Sequence, residues 1–381
     1  MRGPLALGFA WGLLVASLVF VGSSWGTIGS AATTSAPFDT AGWKTDFSRH
    51  SVPLTQIVSG GPPKDGIPAI DRPRFVSAAA ADTWLKPQEP VILVAHGGDT
   101  RAYPLEILIW HEIVNDTLGG MPVAITFCPL CHTAIAFDRR VGTRVLDFGT
   151  TGKLRFSDLV MYDRQTESWW QQATGTAIVG ELTGTQLVPL PAQIVAWDLF
   201  KRAEPAGVVL SRDTGYRRPY GQNPYLGYDD VRSSPFLYRG PKDGRLPPME
   251  RVAAVSMGTQ AVAYPFSVLS RVGVVNDTVA GTPIVVLFAP GVTSALDQES
   301  IAASRDVGTA GVFRRTVGGR VLRFARAGGH ITDLQTGSTW SVLGRALAGP
   351  LAGTQLPRVV SDQPFWFAWA VFRPQTRIYQ P

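Results

Sequence analysis

The chain has 381 residues, 45% hydrophobic and 17% charged, the composition of a folded protein with length for about two or three domains, and not of a disordered one. Its 40 glycines and 29 prolines favour a turn-rich, β-rich body over a helical bundle. The net charge of +6 is mostly scattered arginine without a basic run, which gives no footing for a nucleic-acid partner, and a single pair of cysteines excludes a disulfide scaffold.

In chain order, Arg2 precedes an uncharged apolar run from Leu5 to Gly22, and small and polar residues follow from Ser23 to Ala36. Residues 1–31 therefore read as a secretory signal peptide or an uncleaved membrane anchor, with Gly29-Ser30-Ala31 as an acceptable cleavage site. Either reading puts the body outside the cytoplasm, in the periplasm or at the cell surface. If the segment is kept, it tethers the protein to the membrane. Residues 32–70 are rich in Ser, Thr, Gly and Pro and read as a linker that becomes an ordered lead-in.

The body then repeats itself. AYPLEILIWHEIVNDTLGGMPVAITFCP (Ala102–Pro129) matches AYPFSVLSRVGVVNDTVAGTPIVVLFAP (Ala263–Pro290), pairing Asn115 with Asn276 and Pro122 with Pro283. Asp163, Gln165, Thr166 and Ser168 then match Asp333, Gln335, Thr336 and Ser338. An internal duplication follows, with two similar lobes at 71–212 and 233–381 and a tyrosine-rich connector at 213–232. Asp213 to Asp230 of that connector could fold over a site as a lid or simply join the lobes.

Within the first lobe the pattern predicts a strand at Val91–Val94 and a helix opened by Pro104 and running to about Val114. A turn at Gly119-Gly120 follows, then strands at Val123–Phe127, Thr133–Phe137, Val145–Phe148, Leu159–Tyr162 and Ser168–Gln171. The fold class is β-rich α+β, with mainly antiparallel sheets and a short helix in each lobe.

Both cysteines, Cys128 and Cys131, lie in AITFCPLCHTAIAFD, with His132 directly after them. Apolar, β-prone flanks make this a strand, a tight corner and a strand. In the second copy Cys128 becomes Ala289, Cys131 Val292, His132 Thr293, His111 Val272 and Glu112 Gly273. The polar constellation is missing as a set, so the first lobe reads as active and the second as its structural partner. His111 borders the apolar stripe Leu105, Leu108, Ile109 and Ile113 and faces inward, either toward the cysteines or as a core histidine held by a carbonyl.

The corner has four readings. Two thiolates with His132 or His111, and Met161 as a thioether, make a soft donor set for copper or zinc, copper first. A thiol–disulfide couple is the second, although the redox motif of that spacing belongs at a helix N-terminus. C-x-x-C-H also matches the haem c attachment pattern, but a β corner is a poor host. An inert disulfide is the fourth. Gly149 to Lys153 resembles a phosphate loop without its spacing, His111-Glu112 begins a zinc-protease motif that Asn115 breaks, and Asn115-Asp116-Thr117 is a formal glycosylation sequon whose recurrence at Asn276 argues for a turn. Tyr162, Asp163 and Arg164, followed by Trp169 and Trp170, read as a partly exposed wall that binds a ligand.

GGPPKDGIPAID (60–71), RAYPLEILIWHEIVND (101–116), TFCPLCHTAIAFDR (126–139), GKLRFSDLVMYDRQTESWWQQATGTAIVGELTG (152–184) and YGQNPYLGYDD (220–230) carry a resemblance that covers most of the chain after residue 50. They resemble a family of exported bacterial and archaeal proteins known as a domain of unknown function, DUF3179. The resemblance implies the Cys-Pro-Leu-Cys corner but no fixed histidine after it, which weighs further against haem. It implies no activity. The expectation is an exported, membrane-associated protein with a metal or thiol redox centre on Cys128 and Cys131, serving a small molecule or a redox partner. The rival expectation is a binding module with an aromatic cleft and a passive disulfide.

Overall fold

The computed structural model describes residues 36–381. The signal-peptide or anchor reading of residues 1–31 lies outside them. Among the described residues no helix is long and apolar enough to cross a membrane. The body is β-rich, with several antiparallel sheets and few helices.

Paired glycines set the first hairpins. Gly97 and Gly98, with φ of 59° and 89°, join Pro90–His96 to Asp99–Pro104, and Gly119 and Gly120, with φ of 54° and 78°, join Ile113–Leu118 to Met121–Cys128. Two left-handed residues in a row match the twist of the flanking strands. The two turns also stack. A Cβ on Gly119 would lie 2.3 Å from the His96 carbonyl oxygen, so the position takes only glycine.

The helix is shorter than its apolar pattern predicts. It spans Leu105–His111, with Pro104 as its N-cap, and stops because Glu112 turns left-handed at φ 58°. Ile113–Leu118 is then a strand, with Ile113 paired to Thr126. β-branched Ile113 and Val114 suit that strand better than a helix. The Val-Asn-Asp element is thus not a turn. Asn115 is 3% exposed, and its side chain closes a two-way bridge to the Phe148 backbone at 2.8 and 2.9 Å.

The strand predicted at Val145–Phe148 instead runs over Phe148–Arg155, with a bulge between Thr150 and Lys153. Gly152 sits in that bulge, and a Cβ there would lie 1.9 Å from the Pro62 carbonyl oxygen. The supposed phosphate loop is therefore a strand docked on the lead-in. The lead-in is ordered: Ile57–Ser59 adds an edge strand to Phe148–Arg155. Phe38, Trp43 and Phe47 pack on Trp169 with ring centroids 5.2, 4.9 and 5.1 Å away.

Three sheets organise the first part of the body. One runs Ile57–Ser59, Phe148–Arg155, Asp158–Asp163, Trp169–Gln171, Thr176–Val179, and another Val188–Leu190, Thr133–Asp138, Met121–Cys128, Ile113–Leu118. The third places Ala192–Ala196, Pro90–His96, Asp99–Pro104 and Val208–Leu210 side by side, the last pair parallel. Later in the chain Ser361–Asp362, Val252–Met257, Gln260–Pro265 and Arg377–Ile378 follow the same order, again with the last pair parallel. Asn276 bridges the Phe324 backbone at 2.7 and 2.8 Å, as Asn115 bridges Phe148. One apolar core runs through both parts, with Val292, Leu296 and Phe365 packed in the same cluster as Cys128 and Cys131.

Candidate metal centre

The corner is built as the alternation predicts. Strand Met121–Cys128 leads in, Thr133–Asp138 leads out, and Cys128 pairs with Thr133. Inside the corner the Cys131 N–H donates to the Cys128 carbonyl at 3.2 Å, and His132 takes a left-handed φ of 54°. Both cysteines are free thiols, 1% and 0% exposed.

What meets the sulfurs is not histidine. The turn after Phe148–Arg155 places Phe156 and Ser157 at φ of 55° and 68°, whereas the turn from Phe324–Ala327 to His330–Asp333 uses Gly328 and Gly329. Non-glycine residues there cost roughly 1–2 kcal/mol each, and such strain clusters at functional sites. The turn aims the Ser157 carbonyl at Cys131 Sγ, 3.3 Å away, and delivers Asp158 beside the corner. An Asp158 oxygen and the two sulfurs all lie within 4.8 Å of one another. Asp158 Oδ2 accepts from the Ala173 N–H at 3.0 Å and from the Gln171 amide, whereas buried Oδ1 has no partner among the described residues.

Glu112 adds a second carboxylate. It caps the helix in a left-handed conformation, as Gly273 at φ 70° caps helix Phe266–Val272. Burial, then the charge of Asp158, pushes its pKa up to about 8. Burial likewise raises Asp158 to about 7 and moves both thiols up, Cys131 well above the usual range. Among the described residues neither carboxylate forms an ion pair. Four acidic groups thus share a dry corner with no ion pair to either carboxylate, and burial favours the neutral form of each.

The histidines are committed elsewhere. His111 Nδ1–H donates to the Pro68 carbonyl at 2.7 Å, and Nε2 accepts from the Tyr220 hydroxyl at 2.7 Å, so both ring nitrogens are used. Burial lowers its pKa to about 4, which keeps this ring neutral. His132 donates from Nδ1 to the Gln363 carbonyl at 2.8 Å and packs against Phe127 and Phe365. Neither histidine belongs to the Cys128, Cys131 and Asp158 group. Met161 is buried in the same apolar cluster as the cysteines, in register with Trp170.

The expected aromatic wall is framework. Trp169 and Trp170 are both fully buried. Trp170 Nε1 donates to Asp163 at 2.9 Å, and Asp163 also accepts from the Thr166 N–H at 2.7 Å. Asp333, Thr336 and Trp340 repeat that pattern at 3.0 and 2.7 Å, so it serves the fold and not the site. The Tyr162 hydroxyl bonds Asp65, and Arg164 holds Asp71 at 2.7 Å; both fasten the lead-in.

The connector is a cover. The Tyr228 hydroxyl donates to the Leu130 carbonyl at 3.0 Å and accepts from the Phe236 N–H at 3.1 Å, and Ser157 Oγ bonds the Phe236 carbonyl. Tyr225 feels the charges of Glu112 and Cys128, with burial the main cause of its raised pKa. Haem attachment or partner exchange at the sulfurs would require lifting this cover. In the later part of the chain the corner residues Ala289 to Val292, with Gly329 and His330, line an open cleft of about 960 Å³. Reading the residues in order missed Asp158 as a donor; the signals for Glu112 and the Phe156-Ser157 turn were their glycine counterparts.

No curated protein and no solved structure matches the chain. The model of one family, described as Protein of unknown function (DUF3179), matches residues 64–376. That span is most of the chain and includes the corner, Glu112, Asp158 and the cover, so this protein belongs to the DUF3179 family.

Proposed function

We propose that Cys128, Cys131 and Asp158 bind a divalent metal ion; Glu112, outside that group, is the nearby buried carboxyl from which a fourth donor would come. The observation that supports this reading is three ligand atoms within 4.8 Å of one another, one of them on a carboxylate whose other oxygen alone is satisfied by the protein. A divalent cation would offset two negative charges, favour the deprotonated ligands and so oppose the burial that raises their pKa values. Two sulfurs with carboxylate oxygen suit zinc(II); copper(I) prefers sulfur and nitrogen alone. Zinc is therefore favoured over the copper expected from the sequence. A closed set under a cover fits a structural or storage role better than a thiol couple, which must be reached by its partner.

The setting belongs to the same proposal. The N-terminal segment would export the protein, as a secreted or membrane-anchored form. The two lobes would descend from one duplicated unit, the earlier keeping the donors and the later replacing them with Ala289, Val292 and His330. Metal analysis of purified, desalted protein tests the site. We expect about one equivalent of zinc per chain, lost in Cys131→Ser and Asp158→Asn and kept in His111→Gln. A folded, metal-free wild type, or loss of metal in the His111 variant, would sink the assignment. Bound copper would keep the site and overturn the choice of metal.

A further inference from the structure

We propose that a second site, distinct from the cysteine corner, binds a small organic anion with an apolar body on Arg373. The site is a cleft of about 500 Å³ lined by elements from both parts of the chain. Its size lies in the range of small-molecule pockets. Arg373 follows helix Trp366–Ala370 and stacks on the Trp369 ring, 4.1 Å from its centroid. Among the described residues its guanidinium makes no hydrogen bond and no ion pair.

Arg373 is half-buried and lines the cavity, so its donors are open to a ligand there. A guanidinium carries five N–H donors and no acceptor, and its charge cannot be removed by deprotonation. Burial moves the Arg373 pKa down, with Asp362 and Asp158 the charges that oppose the shift. Asp362 does not pair with it. One Asp362 oxygen is held by the Ala134 and Gln363 N–H groups at 2.9 and 2.7 Å. The donors of Arg373 are thus left for an acceptor within the cavity. Stacking on indole fixes the plane of the fork, which is the arrangement that receives a carboxylate or phosphate through two parallel bonds.

The remaining walls choose the rest of the ligand. Ile135, Phe137, Leu190 and Phe372 line the cavity with apolar surface, so a bare inorganic ion would leave most of it empty. Thr174 and Ser361 supply polar edges, and the Asp362 carboxyl, whose pKa burial raises to about 6, lines the same cavity. Ala173 lines the same cavity and gives its N–H to Asp158, so the bound anion would sit directly behind the cysteine corner. The inference does not depend on that corner holding a metal.

Calorimetric titration at constant ionic strength tests it, with acetate, hexanoate and hexylammonium as probes. Saturable hexanoate binding is expected, tighter than acetate by at least about tenfold through burial of its methylenes. Arg373→Met keeps the stem and the ring contact and should weaken hexanoate at least about tenfold. Arg345→Met, at a residue lining the cleft beside Val292 and His330, should leave it unchanged. Leu190→Trp, which fills the cavity without touching the charge, should abolish binding and serves if the Arg373 variant does not fold. Hexylammonium binding as tightly as hexanoate, unaltered affinity in Arg373→Met or Leu190→Trp, or no saturable binding of any probe would overturn the proposal.

Discussion

Metal-free Glu112→Gly protein is expected to withstand more urea than metal-free wild type at pH 8, by on the order of 2–4 kcal/mol. Two effects point the same way. Glu112 holds a left-handed φ of 58°, where glycine relieves about 1 kcal/mol of strain; Gly273, at φ 70°, ends helix Phe266–Val272 in the same region. Proton linkage contributes more than the backbone does. Burial raises the carboxyl from 4.5 to about 8, so the folded protein binds a proton that the unfolded chain releases. Its favourable contribution is complete below pH 4.5 and is lost as pH rises through about 8. Asp158, raised from 3.8 to about 7, behaves alike. Metal-free wild type should therefore weaken from pH 5 to pH 8, and the advantage of Glu112→Gly should grow over the same interval. Added zinc should reverse the order, because bound metal takes the deprotonated ligands and its affinity climbs with pH. Urea unfolding at the two pH values, with chelator and with zinc, reads all four cases. A variant less stable than wild type at both pH values without metal would show that Glu112 is held for packing alone.

Trp169→Ala should cost about 3–5 kcal/mol, with no direct effect on the corner. The indole is fully buried, and three aromatic rings from the lead-in close around it. Removing it empties the joint between the lead-in and the sheet Phe148–Arg155, Asp158–Asp163, Trp169–Gln171. Proteolysis should then cut first within residues 36–60, ahead of global unfolding. An exposed recognition wall predicts the opposite, namely lost ligand binding at unchanged stability. A melting temperature equal to that of wild type would contradict the buried assignment.

Much of the architecture could be read from the residues. The corner, its flanking strands and the recurring Val-Asn-Asp and Gln-Thr-x-Ser elements carry local signals, namely alternation, turn residues and repetition. The helix end did not, because Ile109 to Val114 fits a helical stripe and a β-branched strand equally well until Glu112 turns the backbone. Asp158 was hidden for a different reason. It follows Phe156-Ser157, a hairpin turn without glycine or asparagine, and meets the sulfurs only through sheet pairing. The histidines misled because adjacency in sequence is not direction in space. His132 follows Cys131, yet the left-handed backbone at this residue accompanies a ring bonded to Gln363. The connector read equally as lid or linker, because a cover without regular elements has no periodicity to read.

Cobalt(II) titration of the metal-free protein reads the donor set most directly. Thiolate ligation gives a near-ultraviolet charge-transfer band, and tetrahedral geometry gives intense visible bands. We predict both at saturation near one equivalent, the ultraviolet band lost in the Cys128→Ser, Cys131→Ser double variant and the visible bands altered in Asp158→Asn, with His111→Gln unchanged. A folded wild type that gives no charge-transfer band at any cobalt concentration would contradict a metal centre at this corner.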